Sequence, residues 1–126
     1  MPHTPHILLV DDEPNIVMSL DFLMRKAGYQ VSIARNGTEA LEAVSQTPFE
    51  VVILDIMMPD VDGYQVCRQL RQRPDRAGTR VIFLSAKSKE EDVAEGYAAG
   101  ADLYLTKPFS TRQLMAQVKL LLPATS

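Results

Sequence analysis

Four short apolar runs are each followed by polar residues of a kind that can do chemistry. Asp11-Asp12-Glu13 follows Ile7–Val10, Asp55 follows Val51–Leu54, Ser85 follows Val81–Leu84, and Lys107 follows Leu103–Leu105. If the chain gathers these run ends at one edge, Asp11, Asp12 and Asp55 become a cluster of like charges. Two carboxylates about 4 Å apart repel by roughly 4 kcal/mol at an effective dielectric near 20. Such a cluster must take up protons or hold a cation. With oxygen donors only, and neither His nor Cys nearby in sequence, it suits Mg²⁺, or Mn²⁺ in its place, better than zinc. A lysine aimed at the same point pairs with the acids and with any anion they bind. A divalent cation, one carboxylate apart from the rest, a hydroxyl and an ammonium are the parts needed to place and read a phosphoryl group. A capping role at the helix that starts near Pro14 accounts for Asp11 or Asp12. It leaves Asp55, alone at the end of an apolar run, unexplained.

Placing these residues requires elements that end together. Five runs of strand length recur at Ile7–Val10, Gln30–Ala34, Val51–Leu54, Arg80–Leu84 and Leu103–Leu105. Helical spacing fills the intervals. Ile16, Leu20, Leu23 and Met24 repeat every three or four residues from Pro14 to Ala27, where Gly28 stops the helix. A second helix starts at Asn36, turns Ala40, Leu41 and Val44 inward and ends at Thr47-Pro48. A third runs from about Tyr64 to Gln72 with Val66, Cys67 and Leu70 inside. The fourth, about Lys89 to Ala99, opens with Glu90, Glu91 and Asp92 at its positive dipole end and closes at Gly100. Ser110 caps a fifth, which presents Leu114, Val118 and Leu121 until Pro123. Strands apolar on both faces, alternating with helices, predict an α/β fold with a doubly wound five-stranded parallel sheet. Right-handed crossovers favour the flavodoxin-like order 2-1-3-4-5, with a crevice at the C-terminal ends of strands 1 and 3. The acids, the serine and the lysine then share one edge.

At this point a family is in view. Leu8-Leu-Val-Asp-Asp-Glu13, Val51-Val-Ile-Leu-Asp-Ile-Met-Met-Pro-Asp60 with Gly63, Phe83-Leu-Ser-Ala86 and Gly100-Ala-Asp-Leu-Tyr-Leu-Thr-Lys-Pro-Phe109 together resemble the receiver domain of two-component response regulators. The resemblance covers about His6 to Leu122. It implies that Asp55 accepts a phosphoryl group from the phosphohistidine of a sensor histidine kinase or phosphotransfer protein. It further implies that Asp11, Asp12, Asp55 and the backbone carbonyl of Met57 hold Mg²⁺, and that Lys107 pairs with Asp55 at rest. Ser85 would bond to the phosphoryl group, Tyr104 would be the switch aromatic that swings inward, and Lys107-Pro108 would be a cis bond. Phosphorylation adds about −1.5 to −2 charge to a site already acidic, so cation and lysine must be in place. By strand order the fifth strand lies at an edge, and alternation sets Tyr104 opposite Leu103 and Leu105, where its rotation costs little packing. The face of helix 4, strand 5 and helix 5 is expected to carry the downstream partner or a self-dimer. The resemblance also implies that Met57 and Lys87 flank the path of hydrolytic water, and Leu103 stands where the family often has an acid.

Composition bounds the rest. The chain has 126 residues, 46% of them apolar and 23% charged, a formal net charge of −3 and one cysteine, which reads as a single receiver domain with its core at 6–122 and no output domain of its own. Mild acidity argues against direct nucleic-acid binding. No apolar run approaches the roughly 20 residues of a membrane span, and Met1–His6 shows no signal-peptide start, so the expected location is cytoplasmic. The domain is expected to assist its own phosphorylation and dephosphorylation without being a turnover enzyme. An aspartyl-phosphate phosphohydrolase would carry an acid where Met57 stands and a cap insertion. A flavodoxin-like cofactor carrier would need a phosphate cradle where the acids lie. A degenerate receiver that acts only as an interaction module remains the alternative. His3 and His6 read as an N-terminal arm and Cys67 as a core residue. Asp60-Val-Asp-Gly63 lacks the spacing of a calcium loop, and Lys87–Asp92 reads as a solvated helix start.

Overall fold

Apolar runs bounded by glycine, proline and short polar residues leave the chain little choice but alternate strands and helices. A computed structural model describes residues 4–122. Along the chain it has β1 (His6–Val10), α1 (Pro14–Lys26), β2 (Gln30–Ala34), α2 (Gly37–Gln46), β3 (Val51–Leu54) and α3 (Gly63–Arg71). A 3-10 turn (Pro74–Arg76), β4 (Arg80–Ser85), α4 (Glu90–Ala99), β5 (Leu103–Thr106) and α5 (Thr111–Leu121) follow. The sheet order is β2-β1-β3-β4-β5 and every pairing is parallel.

Because side chains alternate along a strand, the sheet sorts its apolar residues into two layers. Leu8, Val10, Val52, Leu54, Val81 and Phe83 pack with Ala40, Val44, Val66, Cys67 and Leu70 on the side of α2, α3 and α4. Ile7, Leu9, Val51, Ile53, Ile82 and Leu84 pack with Leu20, Met24, Leu114 and Val118 on the side of α1 and α5. Each such side chain, buried fully, contributes about 1.5–3 kcal/mol. Helix ends are closed locally. Asn36, Asp62 and Ser110 accept the backbone N–H of Glu39, Gln65 and Gln113 at 2.8, 2.9 and 3.1 Å, caps worth about 0.5–2 kcal/mol each. Gly28 and Gly100, with φ of 94° and 112°, take the left-handed turns that end α1 and α4. At the sheet edge remote from the acids, Arg71 bridges Asp102 at 2.8 Å and donates to the Gly100 carbonyl at 2.9 Å, fixing the α4–β5 loop.

Several expectations are corrected. The N-cap of α1 is Glu13 and makes no side-chain cap bond, so neither Asp11 nor Asp12 is there to cap. His6 begins β1 instead of lying in a loose arm; its Nε2 lies 2.7 Å from Ser32 Oγ and its ring packs edge-on against Phe49. Ser85 is the last residue of β4, not the first beyond it. The 3-10 turn has no counterpart in the apolar pattern, since three residues are too few to show a period; Pro74 sets its first φ. His3, Pro123 and the tail after it lie outside the described residues.

Candidate functional site

Parallel strands in this order deliver their C-terminal ends side by side. Asp55 donates its backbone N–H to the Val10 carbonyl at 2.9 Å, and Lys107 donates its own to the Ser85 carbonyl at 2.7 Å, so each polar residue continues the ladder of the strand beside it. The loop from β3 to α3 is held against this edge from two sides. A Cβ on Gly63 would lie 2.4 Å from the Asp55 carbonyl oxygen, so only glycine lets α3 start so close to that backbone. Asp60 accepts the N–H of Gly37 at 3.1 Å and of Thr38 at 2.9 Å, and also the Thr38 hydroxyl, binding the loop to the N-terminus of α2. These bonds hold the Asp60 carboxyl well below the usual carboxylate range, the Thr38 hydroxyl foremost.

Asp11, Asp12 and Asp55 each bring a carboxylate oxygen to a common point, all within 4.8 Å of one another. Asp11 and Asp55 are 6% exposed, whereas Asp12 is at the surface. Asp55 Oδ1 accepts the Ile56 N–H at 2.7 Å, leaving Oδ2 toward Lys107; Asp11 Oδ1 accepts the Glu13 N–H at 2.9 Å. Lys107 Nζ lies 2.9 Å from Glu13, 3.3 Å from Asp11 and 3.6 Å from Asp55. Burial pushes the Asp55 carboxyl above the ordinary range, Lys107 opposing and Asp11 adding to it. Burial also raises Asp11, against the Glu13 amide and Lys107. At Lys107 burial works to lower the pKa, but the carboxylates of Glu13, Asp55 and Asp11 outweigh it and the net direction is upward. Ser85 is fully buried; its hydroxyl oxygen accepts the Lys87 N–H at 3.1 Å, and the Tyr104 hydroxyl lies within its hydrogen-bonding reach. Two open grooves flank the acids. One, of about 440 Å³, runs past Asp12, Met57, Met58 and Lys87; the other, of about 480 Å³, runs past Asp11, Asp12, Pro14 and Met18.

The structure brings Asp11, Asp12, Asp55 and Lys107 together at one edge and sets Ser85 at the adjoining strand end. Lys107 pairs with Asp55 as expected, and shares its ammonium with Asp11 and with Glu13, the nearest of the three. One expected arrangement changes. Tyr104 is 7% exposed and already inside: its ring packs against Phe83 at 5.9 Å and its hydroxyl donates to the Lys87 carbonyl at 2.7 Å. A rotation outward would therefore give up substantial packing, because β5, although an edge strand, has α4 laid over this face. Met57 exposes 59% of its surface beside Asp12, and Lys87 lies 3.8 Å from Asp92. Leu103 is half-buried with the α1 and α5 layer. Cys67 is buried, and burial pushes its thiol up to about 11, as suits a core residue. Asp60 and Asp62 are helix-capping groups. Glu13 and Asp60 are the participants that sequence reading passed over. Each stood at the end of a motif that carried the resemblance, but neither was given a role there: Glu13 was the third acid of a turn, and Asp60 also began a run that failed as a calcium loop.

Comparison with known proteins decides the family. A family model described as the response regulator receiver domain matches residues 7–119. This chain is a response-regulator receiver domain. The receiver is 42% identical over 116 residues to the alkaline phosphatase synthesis transcriptional regulatory protein PhoP of Bacillus subtilis, covering 92% of this chain and 48% of that protein. It therefore spans about half the length of that relative. Among solved structures, the receiver is similar to the signal receiver domain of a signal transduction histidine kinase from Syntrophus aciditrophicus, 38% identical with a TM-score of 0.87 over 94% of this chain and 90% of that one. It is also similar to the chemotaxis response regulator CheY4 of Vibrio cholerae, 30% identical with a TM-score of 0.88 over 95% and 100% of the two chains. Among the described residues of the receiver, no helix is long and apolar enough to cross a membrane.

Proposed function

We propose that this receiver is a phosphoacceptor signalling domain in which Asp55 takes a phosphoryl group from the phosphohistidine of a sensor histidine kinase or phosphotransfer protein. The observation that carries the reading is a buried Asp55 with one oxygen fixed by a backbone amide and the other facing a partly buried ammonium and a second buried acid. An ionised Asp55 oxygen attacks phosphorus, the P–N bond to the donor imidazole breaks, and the electron pair stays on the ring nitrogen, which takes up a proton. Lys107 shifts from its shared carboxylates to a phosphoryl oxygen, and the Ser85 hydroxyl donates to another. The groove past Pro14 and Met18 leaves the acids open to a donor side chain.

Three carboxylates with oxygens within 4.8 Å fit a hard divalent cation. Asp11, Asp12, Asp55 and the Met57 carbonyl would hold Mg²⁺, or Mn²⁺ in its place, and the ion would supply positive charge against the transferring phosphoryl group. The acceptor is consumed at each transfer, so the domain is a switch that assists its own phosphorylation and dephosphorylation and not a turnover enzyme. Its output is a change in the face of α4, β5 and α5, read by a downstream protein or a second copy of the chain, in the cytoplasm. A receiver serving only as an interaction module would have no need of Asp55, Lys107 and Ser85 in register, and no observation favours it.

Incubation with Mg²⁺ and a small phosphodonor, followed by intact mass, tests the reading. Wild type is expected to gain one phosphoryl group per chain and Asp55→Asn none. An equal gain by both would overturn the assignment, and sustained release of phosphate over many turnovers would restore the phosphohydrolase.

A further inference from the structure

The loop that carries Met57 is held by its backbone at both ends. The Asp55 N–H donates to the Val10 carbonyl at 2.9 Å, and the Gly63 N–H donates back to the Ile56 carbonyl at 2.9 Å. Between those anchors, Asp60 reaches out of the loop to a different element. Its Oδ1 accepts the Gly37 N–H at 3.1 Å, and its Oδ2 accepts the Thr38 N–H at 2.9 Å together with the Thr38 hydroxyl. Gly37 and Thr38 open α2, so their amides are among the four that a helix leaves unpaired at its start. Asn36 already caps this helix through the Glu39 N–H at 2.8 Å. The two segments also touch, since a Cβ on Gly37 would overlap the Val61 carbonyl oxygen. What Asp60 adds is a fixed position of the loop against α2.

We propose that the Asp60–Thr38 contact is a positioning contact that fixes the Met57 carbonyl for the divalent cation, and so sets how tightly this receiver binds Mg²⁺. The proposal rests on the phosphoacceptor reading, in which that carbonyl is the ligand supplied by loop backbone. Asp11 and Asp55 are held by the sheet, their N–H groups donating to the Ala34 and Val10 carbonyls at 3.2 and 2.9 Å. Met57 lies beyond that ladder, 59% exposed on the wall of an open groove. Its N–H reaches the Asp55 carboxylate, which leaves its carbonyl to be placed by the residues that follow. Pro59, with its φ fixed by the ring, carries the position of Asp60 back toward Met57. A ligand that must be ordered as the ion binds costs affinity. Removing a partner bonded directly to a metal ligand commonly weakens binding about 10- to 100-fold. Three residues removed from the ligand, Asp60 is expected to matter by about two- to fivefold.

The test is Mg²⁺ titrated at pH 7 into the full chain and into Thr38→Val, Asp60→Ala and the double variant, followed by amide chemical shifts, with denaturant unfolding measured alongside. Thr38→Val is the deciding variant, because it removes the hydroxyl bond without changing the charge around the cation. Both single variants are expected to raise the Kd for Mg²⁺ within about two- to fivefold, Thr38→Val by less. The double variant should bind no more weakly than Asp60→Ala, since both changes remove the same contact. A merely structural contact would lower the denaturant midpoint and leave the Kd alone. An unchanged Kd in Asp60→Ala overturns the proposal. So does a weakened Asp60→Ala beside an unchanged Thr38→Val, which would leave only the lost charge, and so do losses that add in the double variant. Failure of wild type to bind Mg²⁺ overturns the cation site of the phosphoacceptor reading itself, which separates the two failures.

Discussion

Burying Asp11 and Asp55 side by side destabilises the ionised form of each, and Lys107 offsets only part of that cost. Both carboxyls are held above the ordinary range, so the fold favours their protonated forms. The stability they contribute is complete below the pKa of an unfolded carboxylate and is lost as pH rises through the raised values. Lys107, raised by its acids, has the opposite charge and contributes stability across the neutral range that is lost only when it deprotonates, above 10.5. At pH 7 without a divalent cation, Asp55→Asn should therefore unfold at higher denaturant than wild type, by about 1 kcal/mol, the scale of an ordinary single substitution. Lowering the pH through the carboxylate range should shrink that gain, and a variant no more stable than wild type at pH 7 would contradict the account. The acids, serine and lysine were legible because each ends an apolar run. Glu13 was not, since nothing in its type or place marks a helix-capping residue as the nearest partner of a lysine 94 positions away. Its half-exposed pairing contributes little, about 0.2–1 kcal/mol, and serves to place the ammonium.

At the scale of elements, α4 fits over β5 only because Gly96 has no side chain. A Cβ there would lie 2.7 Å from the Tyr104 ring and 3.2 Å from that of Phe83. Mid-helix, replacing glycine by alanine ordinarily stabilises by about 0.5–1 kcal/mol, while overpacking costs about 1–3 kcal/mol. Gly96→Ala is expected to come out destabilised by about 1 kcal/mol in denaturant unfolding, with the Tyr104 ring displaced; a stabilised variant would show that Tyr104 gives way without strain. The helices were readable from apolar period and stop signals, and their bounds moved by only a residue or two. What was not readable is contact between elements. Alternation placed Tyr104 on the α4 side of β5, but not how closely α4 covers it, and nothing local announces that Tyr64 or Asp60 will reach a neighbouring helix.

Over the whole molecule, strand order turns separate sequence signals into one site. Order 2-1-3-4-5 sets β1 beside β3 and β4 beside β5, which brings Asp11 to Asp55 and Lys107 to Ser85. The apolar alternation then leaves one core layer under α1 and α5 and another under α2, α3 and α4, with Tyr104 in the second. On the proposed function, Ser85, Lys87 and Tyr104 form the hydrogen-bonded link from the Asp55 edge to the α4 side. The most direct measurement of the central claim is to phosphorylate the chain with a small phosphodonor in Mg²⁺, reduce any acyl phosphate with borohydride, and locate the modified residue by peptide mass. The account predicts homoserine at position 55 and nowhere else. Conversion at another acid, or none while the chain carries a phosphoryl group, would contradict it.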